Sequence, residues 1–377
     1  MTPMIIPKAS TWPKAQKLLG LEGLRFLATV AVLLWHYQHF AFVGEEPVGL
    51  VRSELPFYRV LFPFYEKGKI GVEIFWCISG FIFFWKYSAV IADRTINGWT
   101  FFVYRLARLY PLHLATLLLV TMLQLMYFVQ HNYFFVFQQN DIPQFVKQLF
   151  MASDWLPPHG VSFNAPIWSV SIEIVVYAAF FLSLRVVRPS PLFNLAVIVI
   201  SIATGTLMAK CFAFFYAGGL AAMARQAVAG ARHRPKVEAL AACASIAMPA
   251  AFWMSGMGLE ALTAPLLLIY TPILLFCCSK PIVLPRRLET LVETAGNTTY
   301  SCYLLHFPIQ LAIALAFSFM QRPIPYLDPL FSAAFVLSTL VTARLTYCWF
   351  EAPAQRLVRT LLLRRQETRQ ASPVLLQ

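Results

Sequence analysis

Residues 21–42, LEGLRFLATVAVLLWHYQHFAF, make a mostly apolar run of the length that crosses a hydrocarbon core of about 30 Å. The run nevertheless carries Arg25 and His36. As a helix it would place them about three turns and ~16 Å apart, on nearly one face. An ionisable side chain costs a few kcal/mol in lipid, so such residues face the protein interior or a wet cavity and mark function. Each residue alone has a plainer explanation: an arginine whose stem snorkels to the interface, and a histidine satisfied by a neighbouring helix. Both on one face of one span point instead to a polar stripe with the cation near the cytoplasmic end and the imidazole past the middle.

The rest of the chain has to suit that first span. A soluble domain is roughly one-quarter charged; this chain of 377 residues is 12% charged and 59% hydrophobic, with a mean hydropathy of +0.64. It reads as an all-α, polytopic membrane helix bundle. The formal net charge of +13 would suggest nucleic acid on a soluble chain. Here it fits cytoplasmic loops facing anionic headgroups, and no nucleic-acid partner is expected. Cys77, Cys211, Cys243, Cys277, Cys278, Cys302 and Cys348 lie in or beside apolar stretches without CxxC or Cys/His ligand spacing. They read as small apolar core residues, not as disulfides or a metal site.

Apolar runs place ten spans, at about 21–42, 70–91, 110–130, 165–186, 191–208, 211–227, 237–254, 260–279, 298–320 and 329–350. Residues 1–20 form a basic cytoplasmic arm without the apolar region of a signal peptide, residues 21–353 a single membrane domain, and residues 354–377 a short basic tail. With the amino terminus inside, the outward loops receive only Arg52, Arg59, Lys67, Lys69, Lys147, Lys210 and Arg322 of the 30 Lys and Arg. That bias favours both termini in the cytoplasm. The segment between spans three and four, with Trp155, Pro157, Pro158 and His159, is too polar to cross.

Several further residues are candidates for chemistry. Glu73 opens span two, GVEIFWCISGF, near the outer face and at a depth similar to His36. A carboxylate beside an imidazole fixes its tautomer and raises its basicity; the alternative is a wetted interfacial glutamate. Arg105 and Arg108 in YRLARLYP share one helix face at the cytoplasmic boundary. Arginines so paired suit phosphate, or they are ordinary positive-inside anchors. Span four, NAPIWSVSIEIVVY, carries Trp168, Ser169, Ser171 and Glu173 in from outside. Glu173, roughly 12 Å deep by helical rise, is either a partner of Arg25 or a wall of a substrate cavity. In span nine, GNTTYSCYLLHFP, Tyr300, Ser301 and His306 line a cofactor path or pack within the bundle. Glu351, Pro353 and Arg356 read as a boundary salt-bridge cluster. No GxGxxG, P-loop, GxSxG or HExxH motif is present.

Taken in order, these segments resemble acyltransferase family 3, the bacterial membrane enzymes that O-acylate glycans outside the cytoplasm. The resemblance rests on Arg25-x10-His36, GVEIFWCISGF at 71–81, Arg105-x-x-Arg108 followed by Tyr110 and Pro111, Trp168-Ser-Val-Ser-Ile-Glu173, TTYSCYLLHFP at 298–308, and Glu351-x-Pro353. Val170 and Glu73 stand where many relatives show leucine and aspartate; both changes are conservative. The resemblance implies a ten-helix bundle in the bacterial inner membrane, with His36 catalytic and Arg25 its motif partner. It implies an acyl-CoA donor, acetyl-CoA or another, approaching from the cytoplasm past Arg105 and Arg108.

On that reading the acyl group passes to a hydroxyl of a surface polysaccharide, lipopolysaccharide or oligosaccharide, with no metal required. His36 is then a general base or a transient acyl acceptor, Glu73 orients it, and Tyr300 and His306 belong to the donor path. Trp168, Ser171 and Glu173 belong to the acceptor side, since aromatic faces suit sugar rings. The resemblance also implies an enzyme of the type without an appended esterase-like domain. The rivals are a transporter or flippase using the same buried charges as a relay, and a non-catalytic scaffold. The sequence leaves open whether two copies pair as a homodimer.

Overall fold

The computed structural model describes residues 18–155, 160–261 and 263–371. Pro157, Pro158 and His159, singled out in the sequence, lie outside the described residues. Helix α1 spans Leu19–His36 and tightens into a 3-10 turn at Tyr37–Ala41. A two-residue ribbon follows, β1 (Phe42–Val43) antiparallel to β2 (Glu46–Pro47). The helices then run α2 (Tyr58–Lys67), α3 (Gly71–Ala92), α4 (Gly98–His131), α5 (Ile142–Leu149), α6 (Ile167–Val186), α7 (Pro191–Thr204) and α8 (Leu207–Val228). They continue through α9 (Arg234–Met254), α10 (Ala264–Cys278), α11 (Arg286–Asn297), α12 (Thr299–Phe319), α13 (Pro329–Thr346) and α14 (Ala352–Ala371). A π turn at Tyr347–Glu351 joins the last two.

The expected all-α bundle is what the chain forms, and among the described residues eight helical stretches are long and apolar enough to cross a membrane. Two positions differ from the expected spans. α7 and α10 are apolar but only 14 and 15 residues long. α7 is clipped by a Ser190 N-cap and by Gly205, whose positive φ of 64° closes the helix. α10 begins with proline in its first turn and stops at Ser279.

Two elements extend further than the apolar runs indicate. α4 starts at Gly98 because the Asn97 side chain accepts the Thr100 N–H at 2.7 Å, so Arg105 and Arg108 ride on the membrane helix itself. The helix of α13 continues through the π turn into α14, so the segment read as a tail begins as helix. Within the segment after α4, Asp141 caps α5 by accepting the Gln144 N–H at 2.8 Å.

Without a hydrophobic difference between lipid and leucine, helices in a membrane associate through close packing, small residues and polar contacts. α3 and α8 show this directly. A Cβ added at Gly80 would meet the Phe215 carbonyl, and one at Gly218 would meet the Cys77 carbonyl. Around this contact Phe83 stacks on Tyr177 at 4.2 Å and Phe84 meets Phe180 edge-on at 5.0 Å. Such pairs are worth about 0.5–1.5 kcal/mol each. α1 is the central rod, touching α2, α3, α10, α11 and α12. Gly71 at the start of α3 lets that helix rest on the Ala28 carbonyl of α1. α12 is buried along much of its length, whereas α9 buries none of its residues.

Candidate active site

His36 ends α1 at the junction of two packed clusters, one around Tyr37, Phe40 and Phe335, the other around Phe135, Phe163 and Phe307. Its Nδ1 lies 2.9 Å from the Val32 carbonyl oxygen. A carbonyl can only accept, so Nδ1 carries the proton and Nε2 keeps the free lone pair. The tautomer that the sequence assigned to Glu73 is thus set one helical turn back, by the main chain. Gln310 on α12 pins the same corner by donating its amide to the His36 carbonyl at 2.8 Å.

Two more imidazoles crowd this ring. The His306 centroid is 4.8 Å from that of His36 and the His39 centroid is 5.0 Å away. His36 is half-buried, while His39 is 7% and His306 1% exposed. His306 turns toward the backbone of Cys302 and Tyr303, and its Nε2 is buried without a hydrogen-bond partner among the described residues. His39 is walled by the edges of Phe42, Phe137 and Phe307. Among the described residues no three side chains are placed to hold a metal ion.

Glu73 has a partner of its own for one oxygen, and its Oε2 is buried without a hydrogen-bond partner among the described residues. Its Oε1 takes an ion pair from Lys210 of α8 at 2.5 Å. The reason is the tight α3–α8 packing, which brings the first turns of both helices together at one end of the bundle. Arg25 is not in contact with His36: its Nη1 pairs with Glu22 Oε2 at 3.0 Å. The two motif residues therefore stand about three turns apart, Arg25 in the second turn of α1 and His36 at its end.

The Arg25 end is a separate, basic site. Arg25 lies in the field of Arg108 and Tyr177. Arg105 donates to the Tyr87 hydroxyl at 2.6 Å, with its guanidinium 4.6 Å over the Phe83 ring and 5.0 Å over Tyr87. Lys86, exposed, is within electrostatic reach of Glu22, Arg105 and Arg108. Arg359 of α14 packs over Tyr104 at 5.2 Å and faces the same two arginines. Tyr300 anchors α12 to α4 by donating to the Leu109 carbonyl at 2.7 Å.

Two carboxylates belong to this end. Glu351, 1% exposed, accepts from Ser301 and Gln355 within the field of Arg108 and Arg25. It is not the surface salt bridge to Arg356 that its position suggested; Arg356 Nε donates to the Ala352 carbonyl. Glu173 sits against Ser79 and Tyr177, with Arg105 and Arg25 in its field rather than in an ion pair.

The residues read as an acceptor side also make structural contacts. Trp168 packs edge-on against Trp76 at 5.8 Å. Ser171 is fully buried; its backbone oxygen accepts from Trp155 Nε1 at 2.7 Å and its hydroxyl accepts the Asp154 N–H at 3.2 Å, which ties the segment before α6 onto that helix. Sequence reasoning did not single out His39, Gln310, Tyr87 or Arg359. Each carried a faint signal: His39 is three residues beyond His36, Gln310 one turn beyond His306, Tyr87 beside Lys86, and Arg359 three residues beyond Arg356.

Comparison with known proteins points to one family. The family-3 model described as an acyltransferase domain matches residues 18–348. A curated relative, "Acyltransferase MdmB" from Streptomyces mycarofaciens, is 30% identical over 187 residues. That alignment takes in 48% of this chain and 42% of the relative, so less than half the relative's length is spanned. No solved structure matches. With a helix bundle built for a membrane, a buried histidine group at one end of α1 and an arginine cluster at the other, the chain belongs to acyltransferase family 3.

Proposed function

We propose that this chain is a multi-pass O-acyltransferase of a bacterial inner membrane, with ten crossing helices and both termini in the cytoplasm. It takes an acyl group from cytoplasmic acyl-CoA, acetyl-CoA being the simplest donor, and passes it to a hydroxyl of an extracytoplasmic glycan. The observation that carries this reading is the state of His36: Nδ1 is committed to the Val32 carbonyl and Nε2 is left as a base.

The donor phosphates meet Arg105 and Arg108, with Lys86, Arg25 and Arg359 adding positive charge at the same end. Guanidinium groups suit phosphate oxygens geometrically as well as electrostatically. The slender arm of the donor then follows α1 toward His36, a rise of ~16 Å. There the acceptor oxygen attacks the thioester carbon while His36 Nε2 takes the hydroxyl proton. The carbon–oxygen bond forms, the carbon–sulfur bond breaks, and the proton passes from His36 to the departing thiolate, which leaves as free thiol. His306 and Gln310 hold the His36 corner in place, and Glu73 locks α3 to α8 rather than acting on the imidazole.

The direct test incubates membranes containing the chain with labelled acyl-CoA and extracts the glycans. Label is expected on glycan hydroxyls from the unaltered chain and none above background from His36→Ala at equal membrane abundance. Retained turnover in His36→Ala removes the catalytic assignment.

A further inference from the structure

A second charged cluster is built from α8, α9 and the end of α10, where Cys278 packs against Gly20 of α1. Glu238 of α9 receives Arg225 Nη1 and Arg234 Nε at 2.7 Å each, and Lys280 Nζ at 3.3 Å. Three cations around one carboxylate leave a local excess of positive charge. Arg225 is held firmly, only 5% exposed and with its guanidinium 5.4 Å from the centre of the Phe276 ring. Arg234 and Lys280 keep side-chain exposures of 39% and 59%, so donors remain free to meet a ligand.

Arg225, Glu238 and Lys280 line a cavity of about 330 Å³ whose other walls are Pro235, Ala239, Ala242, Phe276 and Cys277, and Arg234 joins them through its ion pair with Glu238. One side of this space therefore carries two cations and the Glu238 carboxylate, and the other is apolar. Its depth is also telling. Arg225 lies in the last turn of α8, Arg234 is the first residue of α9, and Lys280 comes just after α10. All three stand where helices leave the apolar region, at the level of lipid headgroups. The amino-terminal end of a 21-residue helix adds its partial positive charge at the same place. Beyond that point α9 presents an unburied flank.

We propose that Arg225 and Lys280, with Arg234 adding charge through Glu238, form a seat for the phosphate of an anionic phospholipid, whose glycerol and first acyl carbons lie against Ala239, Ala242 and Phe276. A free phosphate would use the cations but have no use for the apolar wall. A lipid headgroup uses both, and would bridge α8, α9 and α10 where α9 has little packing of its own.

Native mass spectrometry of the detergent-solubilised full chain tests this, with dioleoyl phosphatidylglycerol, dioleoyl phosphatidylcholine or inorganic phosphate as the added probe. Phosphatidylglycerol is expected to be retained at concentrations at least about tenfold below phosphatidylcholine. Arg234→Gln with Lys280→Gln, both at exposed positions, should weaken that retention by about tenfold or more, and millimolar phosphate should not displace the lipid. Equal retention of the two lipids would overturn the proposal. So would unchanged retention in the double variant, with only thermal stability reduced, which would make the cluster a helix clamp. Displacement by inorganic phosphate would make it an anion site without a lipid role.

Discussion

At the residue scale, the proposed function turns on which nitrogen of His36 is free. A carboxylate partner would have strengthened the base and stabilised its protonated form; a carbonyl partner fixes the tautomer with less effect on basicity. Glu73→Gln separates the two cases. With Glu73 bound to Lys210, the substitution should lower stability by about 1–3 kcal/mol and change kcat less than tenfold. A loss of several hundredfold in kcat with unchanged stability would restore the carboxylate to the imidazole. His306→Gln is expected to slow turnover less than His36→Ala, because its ring packs behind the half-buried one.

The Arg25–His36 relation was legible from spacing alone, since helical period decides which residues share a face and how far apart they stand. The partner of Glu73 was not. It depends on α3 and α8 meeting across more than one hundred residues of chain, and nothing local to GVEIFWCISGF announces Lys210.

At the scale of elements, the fold rests on how closely α3 and α8 approach. Gly80 and Gly218 each face a carbonyl of the other helix, so adding a side chain forces the helices apart. Gly80→Val should cost about 1–3 kcal/mol and reduce the yield of monodisperse protein in fluorescence-detected size-exclusion chromatography. Gly23→Ala, which meets no neighbouring atom, should be neutral in the same assay.

The positions of most helices followed from hydropathy because long apolar runs leave few alternatives in a membrane. Helix ends were less legible, since they are fixed by single side-chain caps such as Asn97 on α4 and Ser190 on α7. The continuation of α13 into α14 escaped notice because a charged surface helix lacks the apolar signal, and Arg359 was missed with it. Arg105→Ala with Arg108→Ala should raise the acyl-CoA KM by at least about tenfold, two charge-assisted contacts being worth that much, and lower kcat less. An unchanged KM in steady-state kinetics would return these arginines to the role of boundary anchors.

At the scale of the whole molecule, the proposed function assigns different work to the two parts of α1. Arginines from α1, α4 and α14 collect at one end, and histidines from α1, the following 3-10 turn and α12 collect at the other. A donor bound at the first and a hydroxyl presented at the second would meet without either crossing the membrane completely. The measurement that bears most directly on this division uses sealed proteoliposomes of one known orientation, with acceptor glycan confined to the histidine face. Labelled acyl-CoA added only at the arginine face should label the enclosed glycan, and His36→Ala should abolish the signal. Labelling that occurs only when donor and acceptor share a compartment would contradict the account.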